Sequence, residues 1–246
     1  MGVEPQVLIV APLAVFVAFF VFGMTGFGSS VIAVPLLAHV LPLQQVVPTM
    51  VLMEFVASFL LRRGHGGRSN RRELAWLVPV AVVGIGAGAI LLARLPAAPL
   101  LAGLGTFVLL FGLYTLLDPS FRGVIARAWV LPAGLVGGTF TALFGTGGPV
   151  YAIYLSRRIE DRREFRSTMA AMITVSTAVR IVAFALTGLL LHLKVLLGAL
   201  ALAPVMLAGL RLGSRVHLGV SPQRVRQALG AVLVASGVSL LVKAVG

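Results

Sequence analysis

The sequence predicts an all-α polytopic membrane protein built from two inverted repeats, each a glycine-broken hairpin plus three transmembrane helices. Three observations predict it. The 246 residues are 59% hydrophobic and only 11% charged, whereas soluble domains carry about a quarter charged residues. Apolar runs such as Leu74–Ala93, Leu100–Leu117 and Gln227–Val242 have spanning or near-spanning length for a hydrocarbon core of ~30 Å. One pattern also occurs twice. A shift of 119 residues lays Gly26 on Gly145, Gly28 on Gly147 and Thr49 on Thr168. Further along the shift becomes 125: Pro79, Gly84 and Gly88 fall on Pro204, Gly209 and Gly213, and Gly105 and Gly112 fall on Gly230 and Gly237. Residues 1–123 and 124–246 are therefore read as two copies of one unit within a single membrane domain.

Each unit divides into five helical pieces, giving about eight to ten membrane segments. In the first, Val7–Phe22 runs to the break Gly23-Met24-Thr25-Gly26-Phe27-Gly28-Ser29-Ser30, and Ser29–Leu41 leaves it. Both arms are about 24 Å or shorter by helical rise, so they are expected to enter and leave on one face. Val46–Leu61, Leu74–Ala93 and Leu100–Leu117 then cross. In the second unit Trp129–Phe144 and Pro149–Leu155 flank the break Phe144-Gly145-Thr146-Gly147-Gly148-Pro149, and Ser167–Leu190, Lys194–Leu210 and Gln227–Val242 cross.

The charges orient the units. With a hairpin and three crossings in each, the units point in opposite directions and four loops share one face. Those loops, Arg62–Arg72, Pro119–Arg127, Arg157–Arg166 and Arg211–Arg226, carry sixteen of the twenty cations, against Arg94, Lys194 and Lys243 opposite. If each break instead crossed once, the split would be nine against ten. Cytoplasmic loops gather Lys and Arg, so the inverted arrangement is expected, with both termini outside. The net charge of +13 follows from this loop bias, and no nucleic-acid partner is expected. The absence of Cys excludes disulfides and thiolate metal sites. Met1–Gln6 carries Glu4 and no cation, unlike the basic start of a secretory signal.

The glycine breaks are the first candidates for a site. Broken helices at membrane depth free backbone groups that lipid cannot satisfy. A helix starting near the membrane centre turns unpaired N–H groups and a positive dipole end towards whatever lies before it. Gly26, Phe27, Gly28, Ser29 and Ser30 in the first break, and Gly145, Thr146, Gly147 and Gly148 in the second, are thus candidates to hold an anion. The Gly84/Gly88 and Gly209/Gly213 pairs are read as helix-packing positions.

Two charges lie within spans. Glu54 sits eight residues inside Val46–Leu61, roughly 12 Å deep, and Arg180 lies ten residues from Leu190, roughly 15 Å by the same rise. Buried charges at similar depth are expected to meet a partner or water. Arg180 as an anion ligand with Glu54 as a proton carrier, and a simple neutralising pair, stand as equal readings. Thr49 and Thr168 open the third piece of each unit, where hydroxyls ordinarily cap helices; their matched placement adds them to the binding candidates. Tyr151 and Tyr154 are read as interfacial aromatics, and the run from Arg157 to Arg163 as a solvated anchor. No Ser-His-Asp set, phosphate loop or metal-ligand spacing is present, so neither an enzyme, a cofactor nor a metal is expected.

The residues Phe22-Gly23-Met24-Thr25-Gly26-Phe27-Gly28, Val34-Pro35-Leu36-Leu37, and Gly137-Gly138 before Leu143-Phe144-Gly145-Thr146-Gly147-Gly148-Pro149 resemble the sulfite exporter TauE/SafE family. The resemblance covers nearly the whole chain. It implies a bacterial inner-membrane anion transporter for sulfite, sulfoacetate or related anions. Ser29 and Ser30 stand where the family pattern leads one to expect another glycine. The expected function is export of a small anion by alternating access, with the lipid bilayer and the solute as partners and homo-oligomerisation left open. A passive anion channel and a proton-coupled anion importer are the alternatives.

Overall fold

The computed structural model describes residues 5–25, 28–61, 69–117, 125–215 and 222–245. Among these residues there are ten α-helices, two 3₁₀ turns and no strand. The helices are α1 (Pro5–Thr25), α2 (Ser29–Leu37), α3 (Leu43–Leu61), α4 (Arg71–Arg94), α5 (Ala97–Leu117), α6 (Val130–Phe144), α7 (Gly148–Ser156), α8 (Arg162–Leu186), α9 (Leu193–Arg215) and α10 (Pro222–Val245). Among the described residues six helices are long and apolar enough to cross a membrane, and Gly230–Ala244 within α10 is a shorter apolar stretch. Large side chains on the outer surface, such as Leu8, Val83, Leu186 and Leu200, are exposed. The molecule is an all-helical polytopic membrane protein.

Local chemistry sets the helix ends, and several lie beyond the apolar runs. Asn70 caps α4 by accepting the Glu73 N–H at 3.0 Å. Asp161 caps α8 by accepting the Glu164 N–H at 2.7 Å. A capping side chain lets a polar first turn join the helix, which hydropathy alone does not see. Hence α8 begins at Arg162 rather than Ser167 and ends at Leu186, where Gly188 turns with φ 80°. The return arm α2 stops at Leu37, four residues before the expected Leu41.

α1 also differs: it continues past Phe22 to Thr25. Gly23 is a packing glycine rather than part of the turn. A Cβ there would lie 2.6 Å from Leu210 O on α9. At 21 residues α1 is about 31 Å long and is itself of spanning length, so the first hairpin has one long arm.

Helices of the two chain halves interlock. α4 packs along α6, α1 along α9, α5 along α10, and α3 meets α8. Glycines make the close crossings, where small residues let backbones approach. A Cβ on Gly84 would meet Leu135 O at 2.5 Å, and one on Gly88 would meet Thr139 O at 2.6 Å. The α1–α9 crossing uses Gly209 against Phe16 and Gly213 against Phe20 in the same way. Those four residues are the 125- and 119-shifted counterparts of the first set. At the α5–α10 crossing Gly105 faces Gly237 and Gly112 faces Gly230.

Candidate functional site

The two helix breaks meet at the centre of this framework. Gly28, with φ 93°, precedes α2, and Gly145, with φ 70°, closes α6. Left-handed backbone of this kind is readily open to glycine and strained for other residues. The breaks touch directly: a Cβ on Gly145 would collide with the Ser30 side chain and come within 3.3 Å of Arg180 Nη1. Gly147 packs against Thr141 and Gly137 of α6, whereas a Cβ on Gly148 would meet nothing within 4 Å. Gly26 and Phe27 lie outside the described residues.

The intramembrane charges converge on the same point. Arg180 Nη2 donates to Glu54 Oε2 at 2.5 Å, joining α8 to α3. Both residues are buried. The other carboxylate oxygen, Oε1, accepts the hydroxyls of Ser29 and Ser30, each at 2.6 Å. Those hydroxyls open α2, so the carboxylate sits at the helix end that favours negative charge. Arg180 Nη1 donates to Thr141 O at 3.1 Å. Removing two charges from water is repaid only when geometry and accessory hydrogen bonds are good; Glu54 has all of these.

Arg180 and its neighbourhood are less complete. Arg180 Nε, Thr177 Oγ1 and Thr146 Oγ1 are buried and have no hydrogen-bond partner among the described residues. Thr177 lies three positions before Arg180, on the same helical face. A cavity of about 30 Å³ lies between the breaks, and Gly28, Glu54, Gly148, Tyr151, Thr177 and Arg180 contribute to its wall. That is room for about one water.

Of the candidates read from the sequence, Gly28, Ser29, Ser30, Gly145, Gly148, Glu54 and Arg180 are brought together, with Thr146 and Gly147 in the same turn. Thr49 and Thr168 stand apart from the cavity. Thr49 Oγ1 donates to Gln45 O at 2.7 Å and lies 3.5 Å from Val195 O on α9. Thr168 Oγ1 donates to Glu164 O at 2.7 Å and accepts the Asn70 N–H at 2.9 Å. Each joins the third helix of one half to the start of the fourth in the other, a packing role.

Two tyrosines correct the interfacial reading. Tyr151 is buried in the cavity wall and its hydroxyl lies 3.2 Å from Thr141 Oγ1. Tyr154 is buried and donates to Glu73 Oε2 at 2.9 Å. Glu73 also accepts from Arg158 Nη2 at 2.9 Å, with Arg127 Nη2 at 3.6 Å. Arg158 is therefore partly buried against Glu73 and Tyr154 rather than part of a solvated run. The sequence signal for Glu73 was its place three residues after Asn70, the spacing of a helix start. For Thr177 it was its spacing from Arg180. Among the described residues no group of three His, Asp or Glu gathers as a metal site.

Known proteins bear on this arrangement. The chain is 28% identical over 198 residues to a Comamonas testosteroni protein described as "Probable inner membrane transporter protein TsaS", covering 78% of this chain and 80% of that one. No solved structure matches. The family described as "Sulfite exporter TauE/SafE" matches residues 11–240. With a paired charge and two broken helices at the centre of a polytopic helical bundle, the chain belongs to the sulfite exporter TauE/SafE family and is a membrane transporter rather than an enzyme.

Proposed function

We propose that the protein is a secondary transporter of the bacterial inner membrane that exports a small sulfur-containing or organic anion, such as sulfite or a sulfonate. Residues 1–123 and 124–246 act as inverted units that rock about the central site, with both termini outside. The reading rests above all on one observation. A buried arginine, Arg180, reaches both helix breaks through Glu54 and Thr141. The matched glycine contacts of α4 with α6 and of α1 with α9 support the two-unit description, and repeat-built transporters hold their solutes where such units meet.

The charges define a cycle. In the closed state Glu54 neutralises Arg180, so the empty carrier holds no net charge at its centre. An entering anion takes up donors of Arg180 and adds one negative charge. Outward movement of that charge from a negative interior is favoured by ~2.3 kcal/mol per 100 mV. A ligand-binding step followed by movement of the units gives saturable flux, which separates a carrier from a channel.

Sulfite efflux from proteoliposomes at imposed voltages tests the reading. Saturable efflux that accelerates as the interior becomes more negative is expected. Flux that ignores voltage and follows an imposed pH gradient instead identifies the proton-coupled importer, and unsaturable flux identifies the channel.

A further inference from the structure

The two breaks are not equivalent, and the difference locates the solute. Under the 119-residue shift, Ser29 corresponds to Gly148, Ser30 to Pro149 and Glu54 to Ile173. The first break thus carries two hydroxyls and a carboxylate that consumes both. The second carries a glycine, a proline and an aliphatic side chain. Ile173 and Gly148 both line the central cavity. The first helix start already has an anion of its own; the second has none.

The donors without partners lie with the second break. Arg180 uses Nη2 on Glu54 and Nη1 on Thr141 O, while its Nε is buried and unpartnered. Thr177 Oγ1, fully buried, is also unpartnered. Both residues line the cavity beside Gly148, where α7 opens; its first N–H groups have no intrahelical acceptor, although Pro149 contributes none. A charged donor, a hydroxyl and a helix start around one small cavity suit an oxyanion with two or three oxygens.

We infer that the oxyanion head of the solute binds at the second break, between Gly148, Thr177 Oγ1 and Arg180 Nε, while Glu54 fills the first break as a tethered anion. This rests on the anion-transport reading above and makes it more specific. The protein carries one anion per cycle because one of its two matched helix starts is permanently occupied. Ser29 and Ser30 serve Glu54 rather than the solute. The present cavity of about 30 Å³ admits about one water, so binding requires α7 to move away from α8.

Sulfite titration of the purified protein, read as thermal stabilisation over a chloride control, tests the assignment. Thr177→Val keeps the side-chain shape and is expected to weaken sulfite binding about tenfold, the effect of one hydrogen bond to an anion. Gly148→Ala adds a methyl that meets nothing within 4 Å, so folding tolerates it, and it is expected to weaken sulfite binding by at least a similar factor. Ser29→Ala is expected to weaken binding less than either. Unchanged binding in Thr177→Val and Gly148→Ala overturns the assignment, as does a loss in Ser29→Ala equal to theirs. If neither sulfite nor sulfoacetate stabilises the unsubstituted protein, anion transport itself fails and this assignment with it.

Discussion

Arg180 on α8 and Glu54 on α3 meet at 2.5 Å in the middle of the bundle, and the hydroxyls of Ser29 and Ser30 complete the carboxylate's coordination. The pair ties one half of the chain to the other. Its consequences for stability differ sharply between removing one charge and removing both.

Arg180→Ala leaves Glu54 as a buried charge without its counter-ion. The expected cost is about 3–5 kcal/mol, read as a large fall in melting temperature of the purified protein. The double variant Glu54→Gln/Arg180→Gln removes both charges and should recover most of that loss. A single variant as stable as the parent would show that water reaches Glu54 freely.

The glycines of α4 give an internally controlled test of packing. Gly84→Ala puts a Cβ 2.5 Å from Leu135 O and must push α6 away, at a cost of about 1–3 kcal/mol. Gly86→Ala meets nothing within 4 Å and should be neutral or stabilising by up to about 1 kcal/mol, the helix preference for Ala over Gly. Equal melting temperatures for the two variants would contradict the close α4–α6 crossing.

The Glu73 cluster binds the start of α4 to the end of α7. Tyr154→Phe deletes one hydrogen bond to a carboxylate and is expected to destabilise by about 1–2 kcal/mol. Glu73→Ala strands Arg158 and Tyr154 together and should cost more. Reversal of that order in thermal unfolding would remove Glu73 from the centre of the cluster.

The proposed inversion of the two units predicts membrane sidedness. The chain has no Cys, so single cysteines report cleanly. Cysteine at the exposed position of Arg94 should react with an impermeant thiol reagent in intact cells, and cysteine at Arg162 only after lysis. The opposite pattern would turn the protein over, and reaction of both from outside would remove the inversion.

Much of the central site was legible because its positions follow from helix geometry. Similar depths for Glu54 and Arg180 came from counting residues along two helices, and glycine breaks marked both turns. Partner choice was not legible in that way. Tyr151 and Tyr154 have the composition of interfacial residues, yet Gly137 leaves a place for the Tyr151 ring against α6. Thr49 and Thr168 share a register, but what they share is a helix crossing. Gly23 reads as part of a turn until α9 supplies the backbone that excludes a side chain. In each case the deciding atom belongs to a distant segment.

Voltage-driven sulfite efflux from proteoliposomes, compared between the parent protein and the Glu54→Gln/Arg180→Gln variant at matched reconstitution, tests the central claim most directly. The parent is predicted to release sulfite faster as the interior is made more negative, and the folded double variant to release none above protein-free vesicles. Efflux from the double variant at the parent's rate would contradict the claim that the anion crosses at Arg180.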